Sequence, residues 1–387
     1  MKQGILVINA GSSSVKVKIF DFNLQALIQA QISGLKTEKI KISIKSCIQD
    51  KILNEFYTTG KTMEELFVNF INSILSFLPE VKISLIGHRV VHGGINYNKP
   101  TLVNETVIND LKAIIPLAPL HLPYNTAPME ILKNIMPEVK QIACFDTGFH
   151  SENPEYIRYY AIPRKLIEED KIMRYGFHGL SCEYIMKQLN IVAPELYNSK
   201  VIICHLGAGA SVTAVKNGKG LATSMGFTAL DGVMMGTRCG NIDASILLYL
   251  IKYKNYTYEK LEKMLYSESG ILGISEESSD FYTIENSSKT SSKEAYKMFI
   301  HSIVKKIGEL IAILEGIDCI IFTGGVGENS QKTRFEVIKS FAFLGAEINE
   351  KQNSNNEIII SSLASKIKIM AIKTNEELTI AMHAINY

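Results

Sequence analysis

The feature that most constrains this chain is a pattern it carries twice. Near the start, the apolar run Ile5-Leu6-Val7-Ile8 breaks at Asn9-Ala10-Gly11 and three serines, after which Val15, Val17 and Ile19 alternate with Lys16 and Lys18. A short continuous apolar run suits a strand buried on both faces, and strict alternation marks a half-buried one. About half a chain later, residues 201–204 repeat the buried strand. His205-Leu206-Gly207-Ala208-Gly209 repeats the small-residue turn, and residues 211–215 repeat the return strand, ahead of the hairpin signal Asn217-Gly218. The duplication predicts two similar α/β domains facing one another across a cleft. The 387 residues also exceed what a single core usually fills.

Between and after the repeats the periodicity is that of an ordinary α/β chain. Alternating strands follow at 26–32 and 39–45, and Thr62 with Glu65 forms a capping box for a helix that Pro79 stops. Apolar strands stand at 85–91 and 141–145, with a helix at 125–136 between them. Residues 292–315 read as a long helix with the stripe Phe299, Ile303, Ile307, Leu310 and Leu314, closed by Gly316. A buried strand at 318–322 runs into a third glycine-rich stretch, Thr323-Gly324-Gly325-Val326-Gly327-Glu328-Asn329. The polar stretch 275–293 reads as a loop or lid, and the absence of a long linker suits a hinged cleft.

A net charge of +2 argues against a nucleic acid or a membrane surface as the main partner, and no apolar run reaches the ~18 residues a bilayer needs. The six cysteines form no C-x-x-C pair, and the eight histidines no H-E-x-x-H. Neither a disulfide framework nor a zinc site is expected, and the chain reads as cytoplasmic.

Small-residue turns after buried strands let backbone amides approach a polyphosphate. The first turn lacks the G-K-[ST] ending of a Walker loop and continues as a strand, so it is not a Rossmann fingerprint either. Three such turns together point to nucleotide phosphates. Arg89, in His88-Arg89-Val90-Val91-His92-Gly93-Gly94, either holds an anion bidentately or closes a structural ion pair. Arg238 lies between Gly236 and Gly240, free to swing toward a transferring phosphoryl group. Asp146 ends a strand, as an active-site carboxylate or as a helix cap. His178, in Tyr175-Gly176-Phe177-His178-Gly179, is a catalytic candidate or a satisfied core histidine. Asp146 and Glu376 are carboxylates able to anchor Mg²⁺.

The blocks ILVINAGSSSVK (5–16), GHRVVHGG (87–94), LAPLHLPYN (117–125), CFDTGFH (144–150), YGFHGLS (175–181), HLGAG (205–209), TSMGFTALDGVMMGTRCGNID (223–243), FTGGVGENS (322–330) and TNEEL (374–378) resemble the acetate kinase family, in order and over essentially the whole chain. The resemblance implies an actin, Hsp70 and sugar-kinase type of fold, with two duplicated ribonuclease H-like domains flanking an ATP cleft. It places a substrate and phosphate domain at 1–146, joined by 376–387, and a nucleotide domain at 147–375.

It further implies reversible phosphoryl transfer from Mg-ATP to acetate, with propionate or butyrate as the alternative acid, and a homodimer. Asn9 and Glu376 would support Mg²⁺, or Mn²⁺ in its place. Lys16, His205, Leu206, Gly207, Ala208, Gly209, Asp280, Phe281, Tyr282, Gly325, Val326, Gly327, Glu328 and Asn329 would line the ATP site. Arg89 would bind the acid's carboxylate, with Val91 and Leu120 at its acyl chain. Asp146 would be the essential carboxylate, and His178 and Arg238 would stabilise the transition state.

The chain departs from the family pattern at three places. Ala208 stands for asparagine, Tyr282 for arginine and Ala229 for proline, with consequences expected for nucleotide affinity and for the acid pocket. A non-catalytic, actin-type nucleotide switch is the rival class. It would require degraded catalytic positions, yet Arg89, Asp146, His178, Arg238 and Glu376 are all present.

Overall fold

Each repeat becomes the centre of a β-sheet. The computed structural model describes residues 2–35, 37, 39–59 and 62–387. The first sheet contains β1 (Lys2–Ala10), β2 (Ser14–Asp21), β3 (Ala26–Ser33), β4 (Ile40–Ser46), β5 (Lys51–Thr58), β6 (Val81–Val90), β7 (Thr101–Leu102) and β8 (Lys140–Phe145), in the order β5-β4-β3-β2-β1-β6-β8-β7. The second contains β9 (Lys200–Leu206), β10 (Ala210–Lys216), β11 (Lys219–Thr223), β12 (Cys319–Thr323) and β13 (Lys368–Ala371), in the order β11-β10-β9-β12-β13.

The strand run β3-β2-β1-β6-β8 matches β11-β10-β9-β12-β13 pair by pair, antiparallel twice and then parallel twice. The apolar runs explain the centres. Ile5, Leu6, Val7 and Ile8 are buried on β1, as are Val201, Ile202, Ile203 and Cys204 on β9. Each such aliphatic side chain taken from water contributes roughly 1.5–3 kcal/mol. The chain divides into a unit of Met1–Gly148 with Asn375–Tyr387 and a unit of Phe149–Thr374.

In the first unit the helix Met63–Ser76 covers one face with Phe67, Phe70, Ile71 and Ile74, and its capping box forms as the sequence predicts, with Thr62 and Glu65 bonded both ways at 3.2 Å. The helix Glu376–Ile385 lies on β1, β6 and β8. It reaches β6 because position 87 is glycine: a Cβ there would stand 2.4 Å from Ile380 Cγ2. In the second unit Phe299, Ile303, Ile307, Leu310 and Leu314 of the helix Thr290–Leu314 are all buried, as their spacing predicts.

Two expectations fail locally. The polar stretch 275–293 is not a continuous loop. It holds the helix Phe281–Asn286 and the start of Thr290–Leu314. Its polar side chains cap and brace these helices: Asp280 accepts from the Thr283 amide (3.0 Å) and hydroxyl (2.9 Å), and Ser287 and Ser292 donate to Glu277. The third glycine stretch is not an open loop either, because Gly324–Asn329 is a helical turn directly after β12. The edge strand β5, with no clear alternation of burial, had no sequence signal strong enough to find it.

Candidate active site

In the first unit, Asn9, Arg89 and Asp146 stand at or just beyond the carboxyl ends of the three adjacent parallel strands β1, β6 and β8, where open α/β sheets collect functional groups. Arg89 Nη2 donates to Asp146 Oδ2 at 2.6 Å, Nε donates to both carboxylate oxygens at 3.1 and 3.2 Å, and Nη1 donates to Asn9 Oδ1 at 3.1 Å. A guanidinium has five N–H bonds, so this pairing leaves one on each Nη nitrogen, the fork a second carboxylate needs. Glu376, in the first turn of its helix, lies 3.6 Å from Arg89 Nε.

Burial works against the Arg89 charge, but Asp146 and then Glu376 push its pKa up. Burial pushes Asp146 up to about 6, opposed by Arg89 and reinforced by Glu376. With the oxygens so close to the guanidinium, the pair is ionic at neutral pH. His88 and His92 are driven down to about 4 by burial and carry no charge there.

Asn125 ties two of these strand ends together, donating to Ala10 O at 2.7 Å and accepting from the Val91 amide at 3.0 Å. It is 2% exposed. Lys16 is exposed and stands directly opposite Asn9 in the β1–β2 ladder. Val91 is buried and Leu120 half-buried.

The second unit holds the other cluster. His178 precedes the helix Gly179–Val192 in the left-handed region, φ 58° and ψ 26°, a conformation that costs a histidine about 1 kcal/mol. Its neighbours hold it there. Buried His150 donates from Nε2 to Phe177 O at 2.9 Å, and its ring fills the space that a Cβ on Gly176 would need, 2.6 Å away. Burial lowers His150 to about 4 against that hydrogen bond.

His178 Nδ1 is 2.9 Å from Ser211 Oγ on β10, and its ring stacks on that of His205 with centroids 4.3 Å apart. Arg238 Nη1 donates to Ala229 O at 2.6 Å, and no carboxylate among the described residues pairs with it. A Cβ on Gly209 would stand 2.6 Å from Arg238 Nη2 and 3.4 Å from His178 Nε2. The small turn after β9, the arginine and the histidine therefore share one site, which only a glycine at 209 leaves open.

Beside that turn stands the helical turn Gly324–Asn329. Gly324 has φ +76° and passes so close to β9 that a Cβ would be 2.7 Å from Leu206 O. The Glu328 carboxylate faces inward, accepting from the Gly324 amide and the Thr374 amide, both at 2.9 Å. Beneath lies Arg334, fully buried, donating to Gly327 O, Glu328 O, Asn353 Oδ1, Asn353 O and Asn356 Oδ1 at 2.6–2.9 Å. Its acceptors are all neutral, and burial lowers its pKa to about 10. Leu206 and Phe281 are buried, so they offer a ligand mainly backbone. Ala208 and Tyr282 are exposed, and the Asp280 carboxylate is already used as a cap.

Residues 4–382 match the Acetokinase family. The chain belongs to the acetokinase family. It is 41% identical to acetate kinase of Rickettsia typhi over 398 aligned positions, covering 100% of both chains. Among solved structures it is similar to a propionate kinase from Francisella tularensis, at 37% identity and TM-score 0.93 with 99% of each chain covered. It is also similar to Porphyromonas gingivalis acetate kinase, at 31% identity and TM-score 0.90 with 99% of each covered. The fold is accordingly the actin, Hsp70 and sugar-kinase type that the family resemblance implies, and the duplicated sheets agree with it.

Several side chains that build this acetokinase site escaped the sequence reading. Arg334 acts through partners 6–22 residues away, and Asn125, Ser181, Ser211 and Thr374 act through partners farther away in the chain. So does the brace of Tyr160, Arg174 and Asp231, in which Arg174 Nη1 meets Asp231 Oδ2 at 2.7 Å and Tyr160 Oη accepts from the Phe227 amide at 2.9 Å. That brace holds the segment whose Ala229 carbonyl orients Arg238.

Proposed function

We propose that this acetokinase catalyses reversible transfer of the γ-phosphoryl group of ATP to acetate, giving acetyl phosphate and ADP. The observation that carries the reading is Arg89: a guanidinium locked on one edge by Asp146 and Asn9, with a fork of N–H bonds left for a small carboxylate. Val91 and Leu120 would border the acyl chain.

Acetate has no proton to lose at neutral pH, so no general base is required. One carboxylate oxygen forms a bond to the γ-phosphorus while the bridging P–O bond to ADP breaks, and the electron pair leaves on ADP. Catalysis of such a transfer is mostly positioning and charge neutralisation. Asp146 then serves by fixing Arg89. Arg238 and His178 would meet the charge on the equatorial oxygens. The turn His205–Gly209 and the helix start at Gly324–Asn329 would receive the nucleotide, with Lys16 at a phosphate and residues 280–282 toward the base.

Among the described residues no group of three or more His, Cys, Asp or Glu is arranged around a metal. Asn9 Oδ1 and the Glu376 carboxylate beside Arg89 offer hard oxygen donors only, which fits Mg²⁺ held by a few protein oxygens with water and phosphate completing the shell. Bound there, Mg²⁺ supplies neutralising charge at the nucleotide phosphates.

We also place the enzyme in the cytoplasm as a homodimer. No helix among the described residues is long and apolar enough to cross a membrane. The helix Ala244–Lys254 buries none of its residues and leaves Leu248, Tyr249, Ile251 and Tyr253 at least half exposed, an apolar face that a second copy would cover.

A hydroxamate assay with Mg-ATP across acetate, propionate and butyrate tests the acid. Acetate is expected to give the highest kcat/KM, and a preference for butyrate would overturn the reading. Propionate is the second reading, favoured by Ala229 in place of the family's proline and by the likeness to a propionate kinase. One methylene separates the acids by only about 1–3 kcal/mol.

A further inference from the structure

The two stacked histidines of the second unit are each met at Nδ1 by a serine hydroxyl, but the two serines are not equivalent. Ser211 Oγ stands 2.9 Å from His178 Nδ1. Ser181 Oγ stands 2.8 Å from His205 Nδ1 and also 2.9 Å from Thr374 Oγ1. Ser181 is fully buried in the first turn of its helix. Thr374 is held in register by its own backbone, whose N–H donates to Glu328 Oε1 at 2.9 Å.

A hydroxyl carries one proton, so Ser181 donates either to Thr374 or to His205. If it donates to Thr374, His205 Nδ1 must carry the hydrogen, and in the neutral ring Nε2 then presents a lone pair. The Thr374 proton is then also left without an acceptor at this junction. If Thr374 donates to Ser181 and Ser181 donates to Nδ1, both hydroxyl protons are used and His205 Nε2 carries N–H. A lone pair repels a phosphate oxygen, whereas an N–H binds it.

We propose that Thr374 and Ser181 form a hydroxyl relay that holds His205 in its Nε2–H tautomer, so that it meets nucleotide phosphate as a neutral hydrogen-bond donor. The inference deepens the phosphoryl-transfer reading and rests on it for the ligand. Thr374 and Ser181 are positioning residues: they act on the nucleotide only through the ring.

The test uses the full chain labelled with ¹⁵N-histidine, with the His205 signals assigned by their loss in His205→Gln. The wild type should show a protonated Nε2 and a bare, hydrogen-bonded Nδ1. Thr374→Val keeps the shape and the backbone bond to Glu328 but removes the relay's first proton. It should mix the tautomers and raise KM for ATP roughly tenfold, with KM for acetate unchanged. Thr374→Ser should restore both. An Nδ1–H pattern in the wild type overturns the relay. So does a Thr374→Val protein with wild-type ¹⁵N shifts and wild-type KM for ATP. If the relay signature is present but no acid gives acyl phosphate, the kinase reading fails and the relay stands.

Discussion

The two clusters solve opposite electrostatic problems. In the first unit Arg89 is gripped by Asp146 and approached by Glu376, so its charge is largely balanced before any ligand arrives. In the second unit Arg238 and Arg334 donate to carbonyl and amide oxygens, with no carboxylate partner among the described residues, and His178 and His205 each meet a serine hydroxyl at Nδ1. Balanced charge gives a rigid fork, which suits the proposed recognition of a small monovalent acid by shape. Unbalanced positive charge gives a field suited to a polyphosphate, at the cost of holding the cations with weaker bonds. Burial shows the same contrast, pushing Asp146 up to about 6 in one cluster and lowering the pKa of Arg238 in the other.

The largest test of that contrast is Arg89→Ala. It should lower kcat/KM by about three orders of magnitude or more and also lower the thermal midpoint, because Asp146 loses its counter-charge in a buried site. Near-normal activity in a folded variant would break the comparison. Arg238→Ala should cost about 10²–10³ in kcat yet shift the thermal midpoint by no more than ~2 °C, since only the Ala229 carbonyl loses a donor. A large loss of stability would mean that Arg238 is structural.

Arg334→Met should raise KM for ATP roughly tenfold with little effect on KM for acetate, and lower the midpoint by about 5 °C as its acceptors go unsatisfied. Equal changes in both KM values would show that Arg334 does not act on the nucleotide side specifically. The smallest effect is expected for Ala229→Pro. The Ala229 amide makes no hydrogen bond among the described residues and its carbonyl survives the change, so Arg238 stays oriented while the backbone stiffens. Discrimination for acetate over propionate should rise by roughly tenfold or less, and no change would remove Ala229 from the acid's surroundings.

What the sequence made legible follows from range. The first two glycine turns, the alternating strands and the Thr62 cap are local patterns that formed as expected, while the third glycine stretch became a helical turn. The strand ends carrying Asn9, Arg89 and Asp146 were legible for the same reason, since a parallel sheet brings them together once the strands are recognised. Ser181 and Thr374 were not, because their contact spans 193 residues and a serine in a helix gives no sign of what its hydroxyl will meet. The stretch 275–293 misled because capping residues and loop residues are the same amino acids: Asp280, Ser287 and Ser292 look like solvent-facing polar groups until their helices are seen.

The fit of Gly87 against Ile380 also has a consequence for synthesis. β1, β6 and β8 can assemble early on the ribosome, along with the Arg89–Asp146 pair. The helix that lies on them, and the Glu376 it carries, emerges only after the whole of Phe149–Thr374. The nascent chain must therefore wait with that sheet face uncovered and one site carboxylate missing. The folding of the intervening unit is thereby timed ahead of the completion of the first.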